Sequence, residues 1–342
     1  MRTLALVSVL CLALLSAPSS RSSGVQEQSS SQDGGGYRVH VRLVLVDAQV
    51  VSKKTRQVIS SLKQDDLRVY EDGVQQQISF FSQDELPLSV VLLFDLTDSV
   101  RPVLKPLAQG AEEALRHLKP QDEVAVMVYA ASTRVVQDFT TDRVLATAAI
   151  DKASRMDSRE AAFFNEAIFQ AARQLSRSKN PDSRRVIIWL TDDVPNIPSE
   201  EVRAGYGKSL GSRVPHTEKE ALQELYRTGT SVCTLLKRSE ISEQEDSRWS
   251  SANIVQRMLY PPGEVSKYAQ ATGGRVVESS ARKMDVRLAE LIDDIRMRYS
   301  LGYHPSALKP KGRFCVIKVK LAPEVKKSYG DLAVEAKQGY FR

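Results

Sequence analysis

The apolar positions of this chain fall into short runs separated by segments with a helical period. Residues 90–94 are apolar at every position and rich in β-branched side chains. The run is too short for a buried helix, so it predicts a strand buried on both faces. A similar run at residues 185–190 predicts a second strand, whereas 123–129 alternates like a half-buried strand. Strands and helices alternate over residues 87–298, which predicts an α/β domain with a doubly wound, mostly parallel sheet.

Both flanks of this domain have the alternating pattern of β-strands. Residues 37–86 contain a long alternating segment and two β-rich runs joined by Asp72-Gly73, a dipeptide typical of a type I′ hairpin turn. Residues 299–342 alternate again and present one apolar face around Cys315. The N-terminal unit is too small to be very stable alone. We therefore expect both segments to pack together as one β module beside the α/β domain.

The first residues have the pattern of an export signal. Residues 1–23 contain a basic start, an apolar segment too short to span a bilayer and then several small residues, which predicts a cleaved secretory signal. A membrane anchor is the alternative. Residues 24–36 are rich in Ser, Gln and Gly and predict a flexible leader. Later segments have no apolar stretch of spanning length, so we expect a secreted or periplasmic protein without a stable membrane span.

Charge and cysteine content exclude some classes of protein. The formal net charge of +6 is modest and dispersed, and does not indicate a nucleic-acid-binding protein. Cys233 and Cys315 remain after removal of the predicted signal, and each lies in a strand-like run. Two buried free thiols are the simpler interpretation. A disulfide in an oxidising compartment is the alternative.

Polar side chains follow the central strand directly. Asp95, Thr97 and Ser99 occupy alternate positions after the apolar run. Ligands of open parallel sheets bind outside the carboxyl ends of the strands, and carboxylate and hydroxyl oxygens are ligands that Mg²⁺ or Mn²⁺ prefers. A divalent cation site is therefore one interpretation. The other is a strand end followed by residues that cap the next helix.

This Asp-x-Thr-x-Ser loop resembles the metal-ion-dependent adhesion site of the von Willebrand factor type A (VWA) family. In that family the loop, a distant Thr and a distant Asp hold a divalent cation, and an acidic group of a protein partner completes the coordination. The segment 62–81, with its Val-Tyr-Glu-Asp-Gly, is similar to secreted bacterial VWFA-related proteins of the acidobacterial type. So are Tyr299-Ser-Leu-Gly-Tyr-His-Pro and the closing Gly339-Tyr-Phe. The resemblance implies a VWA, Rossmann-like fold.

The resemblance also implies a set of metal ligands: Asp95, Thr97, Ser99 and Asp192. The position of the distant Thr falls on Ala162, which has no oxygen to offer. A water molecule or Glu160 could substitute for it. We therefore expect the binding of Mg²⁺ or Mn²⁺ to be weak or absent.

The expected function is binding rather than catalysis. The chain has no paired zinc-ligand motif, no nucleophile elbow and no P-loop. Its histidines are widely separated: His40, His117, His216 and His304. The resemblance implies an adhesion-like module that binds a protein partner through an acidic group. The alternative is a metal-independent scaffold or assembly protein of the cell envelope.

Overall fold

The computed structural model describes residues 43–156, 158, 162–193, 216–237, 264–306 and 309–342. These residues form a six-stranded, mostly parallel sheet and two four-stranded antiparallel sheets. The predicted signal and leader lie outside the described residues, as do the start of the N-terminal strand and Glu160.

The chain begins and ends with β-strands and has alternating strands and helices between them. The N-terminal strands are β1 (Val44–Ser52), β2 (Leu67–Glu71), β3 (Val74–Gln76) and β4 (Ile78–Gln83). The α/β part begins with β5 (Leu88–Asp95), α1 (Arg101–Leu115), β6 (Glu123–Tyr129), β7 (Thr133–Thr140), α2 (Arg143–Ser154), α3 (Phe164–Leu175) and β8 (Arg184–Thr191). It continues with α4 (Glu218–Thr228), β9 (Ser231–Lys237), α5 (Glu264–Thr272), β10 (Val276–Ser279) and α6 (Met284–Arg296). The closing elements are β11 (Tyr299–Tyr303), β12 (Phe314–Leu321), α7 (Pro323–Tyr329), β13 (Leu332–Ala336) and β14 (Gly339–Phe341).

The central sheet has the strand order β10-β9-β8-β5-β6-β7, and only the pairing of β6 with the edge strand β7 is antiparallel. Val90, Leu92 and Phe94 of β5 pack with α1, α2 and α6 in one core. Val91 and Leu93 pack with α3, α4 and α5 in the core on the other face. Covering both faces explains why the run is apolar at every position. The predicted doubly wound α/β domain is confirmed.

The two antiparallel sheets form the predicted β module. One has the order β13-β1-β11-β4 and the other β14-β12-β2-β3, so each combines strands from both ends of the chain. Their buried side chains share one core. Asp72 and Gly73, at φ 48° and 87°, lie between β2 and β3. Both therefore have the positive φ that a type I′ turn requires. The expected flanking β module and its hairpin are confirmed.

Some local expectations were wrong. The strand β6 is buried at all seven positions rather than alternately, because helices cover both faces of the sheet. The helical period suggests a helix over residues 284–299, but α6 ends at Arg296 and Tyr299 begins a buried strand between β1 and β4. The short helix α7 begins with Pro323 in its first turn and was not anticipated.

Cys233 and Cys315 are both buried and unpaired. Cys233 lies in the core of the α/β domain and Cys315 in the core of the β module. The interpretation as two buried free thiols is confirmed.

A buried carboxylate connects the strands of the β module. Glu71, only 3% exposed at the end of β2, accepts hydrogen bonds from the hydroxyls of Tyr303 (2.7 Å) and Tyr340 (3.0 Å). Its other oxygen accepts one from Lys309 Nζ at 2.8 Å. Burial alone would raise the pKa of Glu71, but these hydrogen bonds outweigh it and the pKa lies below its ordinary value. The ionised form therefore stabilises the fold.

We expect Glu71→Gln to destabilise the protein by about 3 kcal/mol at pH 7, because one partner of a buried ion pair is removed. Since the pKa of Glu71 is lowered on folding, its contribution is present at neutral pH. It is lost as the pH falls below the ordinary glutamate pKa of 4.5. Denaturant unfolding should show that the difference in unfolding free energy between the variant and the unmodified protein becomes smaller from pH 7 to acidic pH. Glu324→Gln, at an exposed position of α7, is the control. Equal stability of the Glu71 variant at pH 7 would contradict this role.

Candidate functional site

The register of three parallel strands brings the predicted site residues to one edge of the central sheet. Phe94 on β5 pairs with Leu190 on β8, and Asp95 pairs with Tyr129 on β6. Thr191 ends β8 beside them. Because parallel strands point the same way, their carboxyl ends meet at the edge where ligands of such sheets bind. We call this region the carboxyl edge.

Asp95 lies at the bottom of the carboxyl edge and is fully buried. Its Oδ1 accepts a hydrogen bond from the backbone N–H of Thr97 at 2.9 Å. Its Oδ2 accepts from the hydroxyls of Tyr129 at 2.9 Å and Thr191 at 3.2 Å. Trp189 Nε1 in turn donates to the Tyr129 oxygen at 2.8 Å and orients that phenol. The protein itself therefore supplies three donors to this carboxylate.

Burial raises the pKa of Asp95 to about 6, although hydrogen bonds from Thr97 and Tyr129 lower it in part. The negative charge of Asp192 raises it further. The two carboxylates that the sequence assigns to one site therefore repel each other at the carboxyl edge.

The loop after β5 contains both predicted hydroxyl ligands. Thr97 Oγ1 lies 3.2 Å from Ser99 Oγ; Thr97 is buried and Ser99 is exposed. The ammonium group of Lys237, at the end of β9, donates a hydrogen bond to the Ser99 carbonyl. This cation was not among the predicted site residues. The sequence could have placed Lys237 at this edge, because Lys237 follows an apolar strand run and parallel strands end at a common edge.

Ala162 lies in the apolar core that also contains Tyr129 and Phe164, and is 1% exposed. The next residue, Phe163, donates its backbone N–H to the Ala130 carbonyl at 3.0 Å. The segment that should offer a threonine oxygen therefore runs beside the end of β6 and presents a methyl group to the core.

Asp193 adopts the left-handed backbone region, with φ 59°. Its backbone N–H donates to Thr191 Oγ1 at 3.2 Å, and its Oδ1 accepts from the Val265 N–H at 3.2 Å. Aspartate is among the non-glycine residues that tolerate this region. The carboxylate of Asp193 thus bonds to the start of α5, while exposed Asp98 lies 3.6 Å from Arg101 Nη1.

Residues 90–194 match the family described as the von Willebrand factor type A domain. The chain contains a VWA domain. The matched segment runs from β5 past the end of β8 and includes Asp95, Thr97, Ser99 and Asp192. No curated protein matches the chain.

Several solved structures are similar to this chain. An aerotolerance-related membrane protein from Bacteroides fragilis is 15% identical, with 60% of this chain and 98% of that chain covered and a TM-score of 0.39. BatB from Bacteroides thetaiotaomicron is 16% identical, with 61% and 98% covered and a TM-score of 0.39. The proximal thread matrix protein 1 of the mussel byssus, with a zinc-occupied MIDAS motif, is 11% identical, with 61% and 48% covered and a TM-score of 0.40.

The donors of the VWA domain fit a divalent cation in kind but not in number. Carboxylate and hydroxyl oxygens suit Mg²⁺, which requires near-ideal octahedral coordination. Within the described residues, however, no three His, Cys, Asp or Glu side chains are grouped closely enough to hold a metal ion. Both oxygens of Asp95 already accept protein hydrogen bonds, and Ala162 offers no oxygen.

None of the described helices is long and apolar enough to cross a membrane.

We expect the stability of the protein to depend on the ionisation of Asp95. Since its pKa is about 6 in the folded chain against an ordinary 3.8, folding favours the protonated form. The resulting stabilisation is complete below about pH 4 and is lost as the pH rises through 6. The loss of stabilisation amounts to roughly 3 kcal/mol at neutral pH. Asp95→Asn, which cannot ionise, should therefore gain about this much relative to the unmodified protein between pH 4 and 7.

The measurement is denaturant unfolding of both proteins across this pH range with EDTA present. Asp138→Asn, at an exposed position of β7, is the control for a carboxylate outside the carboxyl edge. A stability difference between the Asp95 variant and the unmodified protein that does not change with pH would refute the raised pKa.

Proposed function

We propose that the VWA domain is a protein-binding, adhesion-like module and that its binding surface is the carboxyl edge. The observation that supports this most is the convergence of polar side chains from separate strands there. Asp95 and Thr191 share one hydrogen bond, and the charge of Asp192 acts on Asp95. Ser99 and Lys237 reach the surface above them. Exposed hydroxyl and charged groups above a rigid sheet edge suit recognition of a polar partner.

The partner in this proposal has an acidic group, and a weakly held divalent cation assists its binding. Asp95, Thr97, Ser99 and Asp192 would hold Mg²⁺ or Mn²⁺. The cation, when bound, supplies a positive centre for a partner's carboxylate. Binding is weak in this proposal because Asp95 already has three protein donors and must also lose a proton. Ala162 in the position of the family's threonine weakens it further.

Lys237 favours a second candidate, a metal-independent scaffold or assembly function. Its ammonium group lies against the Ser99 carbonyl and brings positive charge to the loop without a metal. An acidic partner could then bind Lys237 directly, since an ammonium group is a compact donor for carboxylates. Both candidates use the same surface and differ in the source of positive charge.

The proposal is for binding rather than catalysis. His117 Nδ1 lies 2.9 Å from Asp293, and His216 Nδ1 lies 2.6 Å from Glu166 and stacks on Phe169. Each of these two histidines is thus engaged by a carboxylate. The proposed location is outside the cytoplasm, in the medium or the periplasm, and is supported by the signal-like pattern of residues 1–23.

Adding an oxygen at position 162 should strengthen metal binding. We expect Ala162→Thr to tighten Mn²⁺ binding roughly tenfold, or about 1.4 kcal/mol, relative to Ala162→Val. Valine has the same shape as threonine but no hydroxyl, so both variants carry the same steric cost in the buried core, about 1–3 kcal/mol, and they differ only by the buried hydroxyl. Isothermal calorimetry measures the binding, and thermal unfolding checks that both variants fold.

The unmodified protein should bind Mn²⁺ only at about millimolar concentrations, as the weaker extracellular cation sites do, and Asp95→Asn should abolish the binding. Equal affinity of the threonine and valine variants would mean that the site is not built as the resemblance implies. Tight binding by the unmodified protein would point to another donor, for which Glu160 is the candidate.

The two candidate functions differ in how partner capture responds to metal removal. The immobilised full chain is exposed to an envelope extract in Mg²⁺ or EDTA, and retained proteins are identified by mass spectrometry. Release by EDTA would support the metal-assisted module. Retention in EDTA, with loss in Lys237→Met but not in the exposed control Lys105→Met, would support the metal-independent one. Capture that survives EDTA, Lys237→Met and Asp95→Asn alike would refute the carboxyl edge as the binding surface.

A further inference from the structure

One sheet of the β module, β14-β12-β2-β3, has one face in the core and an opposite face whose side chains reach the surface. Burial alternates along β12, where Cys315, Ile317 and Val319 belong to the core. The intervening side chains of β12 and β2 share the opposite face, because directly paired residues of antiparallel strands lie on the same side of a sheet. We call this surface the outer face; it contains Arg68, Tyr70, Phe314, Val316, Lys318 and Lys320.

Three cations lie close together on the outer face. Lys318 and Lys320 are two residues apart on β12, which corresponds to about 7 Å along the strand. Arg68 on β2 is directly opposite Lys320. Like charges in directly opposed positions destabilise a sheet, so an anionic partner at this surface would remove an existing repulsion.

Within the described residues, the three cations have no carboxylate that neutralises them. Arg68 Nη1 donates to the backbone carbonyls of Asp65 (2.6 Å) and Leu67 (3.0 Å), which carry no net charge. Lys320 Nζ lies 4.8 Å from the centre of the Tyr70 ring, a contact that attracts the ammonium group but does not neutralise it. The outward positions of the four strands include no Asp or Glu. The positive charge of the outer face is therefore available to a partner.

Apolar side chains continue the outer face beyond its cations. Val316 is 52% exposed and lies on the same side of β12 as Lys318. The ring of Phe314, the next outward residue, packs on Phe341 (centroids 5.1 Å apart) and on Tyr226 of α4 (5.0 Å). These three rings line an open groove of about 520 Å³. The outer face thus combines a basic part with an apolar part.

We propose that the outer face is a docking surface for an anionic lipid membrane. A bilayer presents anionic headgroups that attract basic side chains, and aromatic rings favour the level of the headgroups. A basic patch alone holds a protein weakly on a membrane, so an apolar contact supplies the second contribution that attachment needs. A soluble polyanion would contact Lys318 and Lys320 but would leave Val316 in water. Glu218, a carboxylate that lines the groove, is paired with Lys267 at 3.1 Å and adds little repulsion.

Sedimentation of the full chain with lipid vesicles tests this proposal. The vesicles consist either of phosphatidylglycerol mixed with phosphatidylcholine or of phosphatidylcholine alone. We expect binding to favour the anionic vesicles and to weaken with added NaCl. Replacing both lysines, as Lys318→Gln with Lys320→Gln, should lower the partition coefficient about 25-fold, since each basic residue near an anionic surface contributes about fivefold. Val316→Ser should lower it by roughly fivefold, because less apolar surface leaves water.

The matched control is the double variant Lys105→Gln with Lys152→Gln. It removes the same charge from exposed positions of α1 and α2 and should bind the anionic vesicles like the unmodified protein. Residues 1–23 are identical in all these proteins, so any contribution of that segment cancels in the comparison. Thermal unfolding checks that every variant folds.

Equal binding of the unmodified protein to both kinds of vesicle would overturn the proposal, as would an equal loss of binding in the control. Binding to polyglutamate in place of vesicles, lost when Lys318 and Lys320 are replaced and kept in Val316→Ser, would also overturn it and assign the outer face to an acidic protein. The outer face contains none of the residues of the carboxyl edge. Different variants therefore test membrane docking and the proposed protein binding, and either can fail without the other.

Discussion

The parallel register of β5, β6 and β8 is the constraint on which the proposed binding surface depends. It sets Asp95 beside Tyr129 and Thr191 at one edge, and it sets Arg184 beside the start of β5 at the other. A slip of one residue would turn every side chain of a strand to the opposite face. Because apolar cores cover both faces, such a slip is strongly disfavoured. The same packing that stabilises the sheet therefore fixes the geometry at both edges.

The motifs outside the metal-like loop serve the β module. Glu71 belongs to the Val-Tyr-Glu-Asp-Gly segment, Tyr303 to the Leu-Gly-Tyr segment and Tyr340 to the closing Gly-Tyr-Phe segment. All three meet in one buried set of hydrogen bonds that joins strands of both sheets. A residue pattern spread over the whole chain can thus reflect one structural contact. For this reason these motifs support an inference about fold and say nothing about a ligand.

The sequence predicted what depends on local pattern, and failed where a contact joins distant elements. Runs of β-branched residues and the Asp72-Gly73 turn act locally, so the strands and the hairpin were recognisable. The hydroxyl of Tyr129 lies within an apolar strand, and no local pattern reveals that it donates to Asp95. The end of α6 was misjudged because buried positions continue at a helical spacing into Tyr299. The unmet donors of Arg184 follow only from three-dimensional packing.

The buried charges at the two edges of the sheet are compensated differently. At the carboxyl edge, Asp95 has three protein donors and a pKa near 6, so a cation must displace a proton and compete with hydrogen bonds already made. At the other edge, Arg184 is 5% exposed and is compensated by the charges of Asp47 and Asp84, although its Nε and Nη2 have no acceptor among the described residues. The charge of Asp95 is thus balanced by donors of the chain itself, and this is the physical reason to expect only weak metal binding at the carboxyl edge.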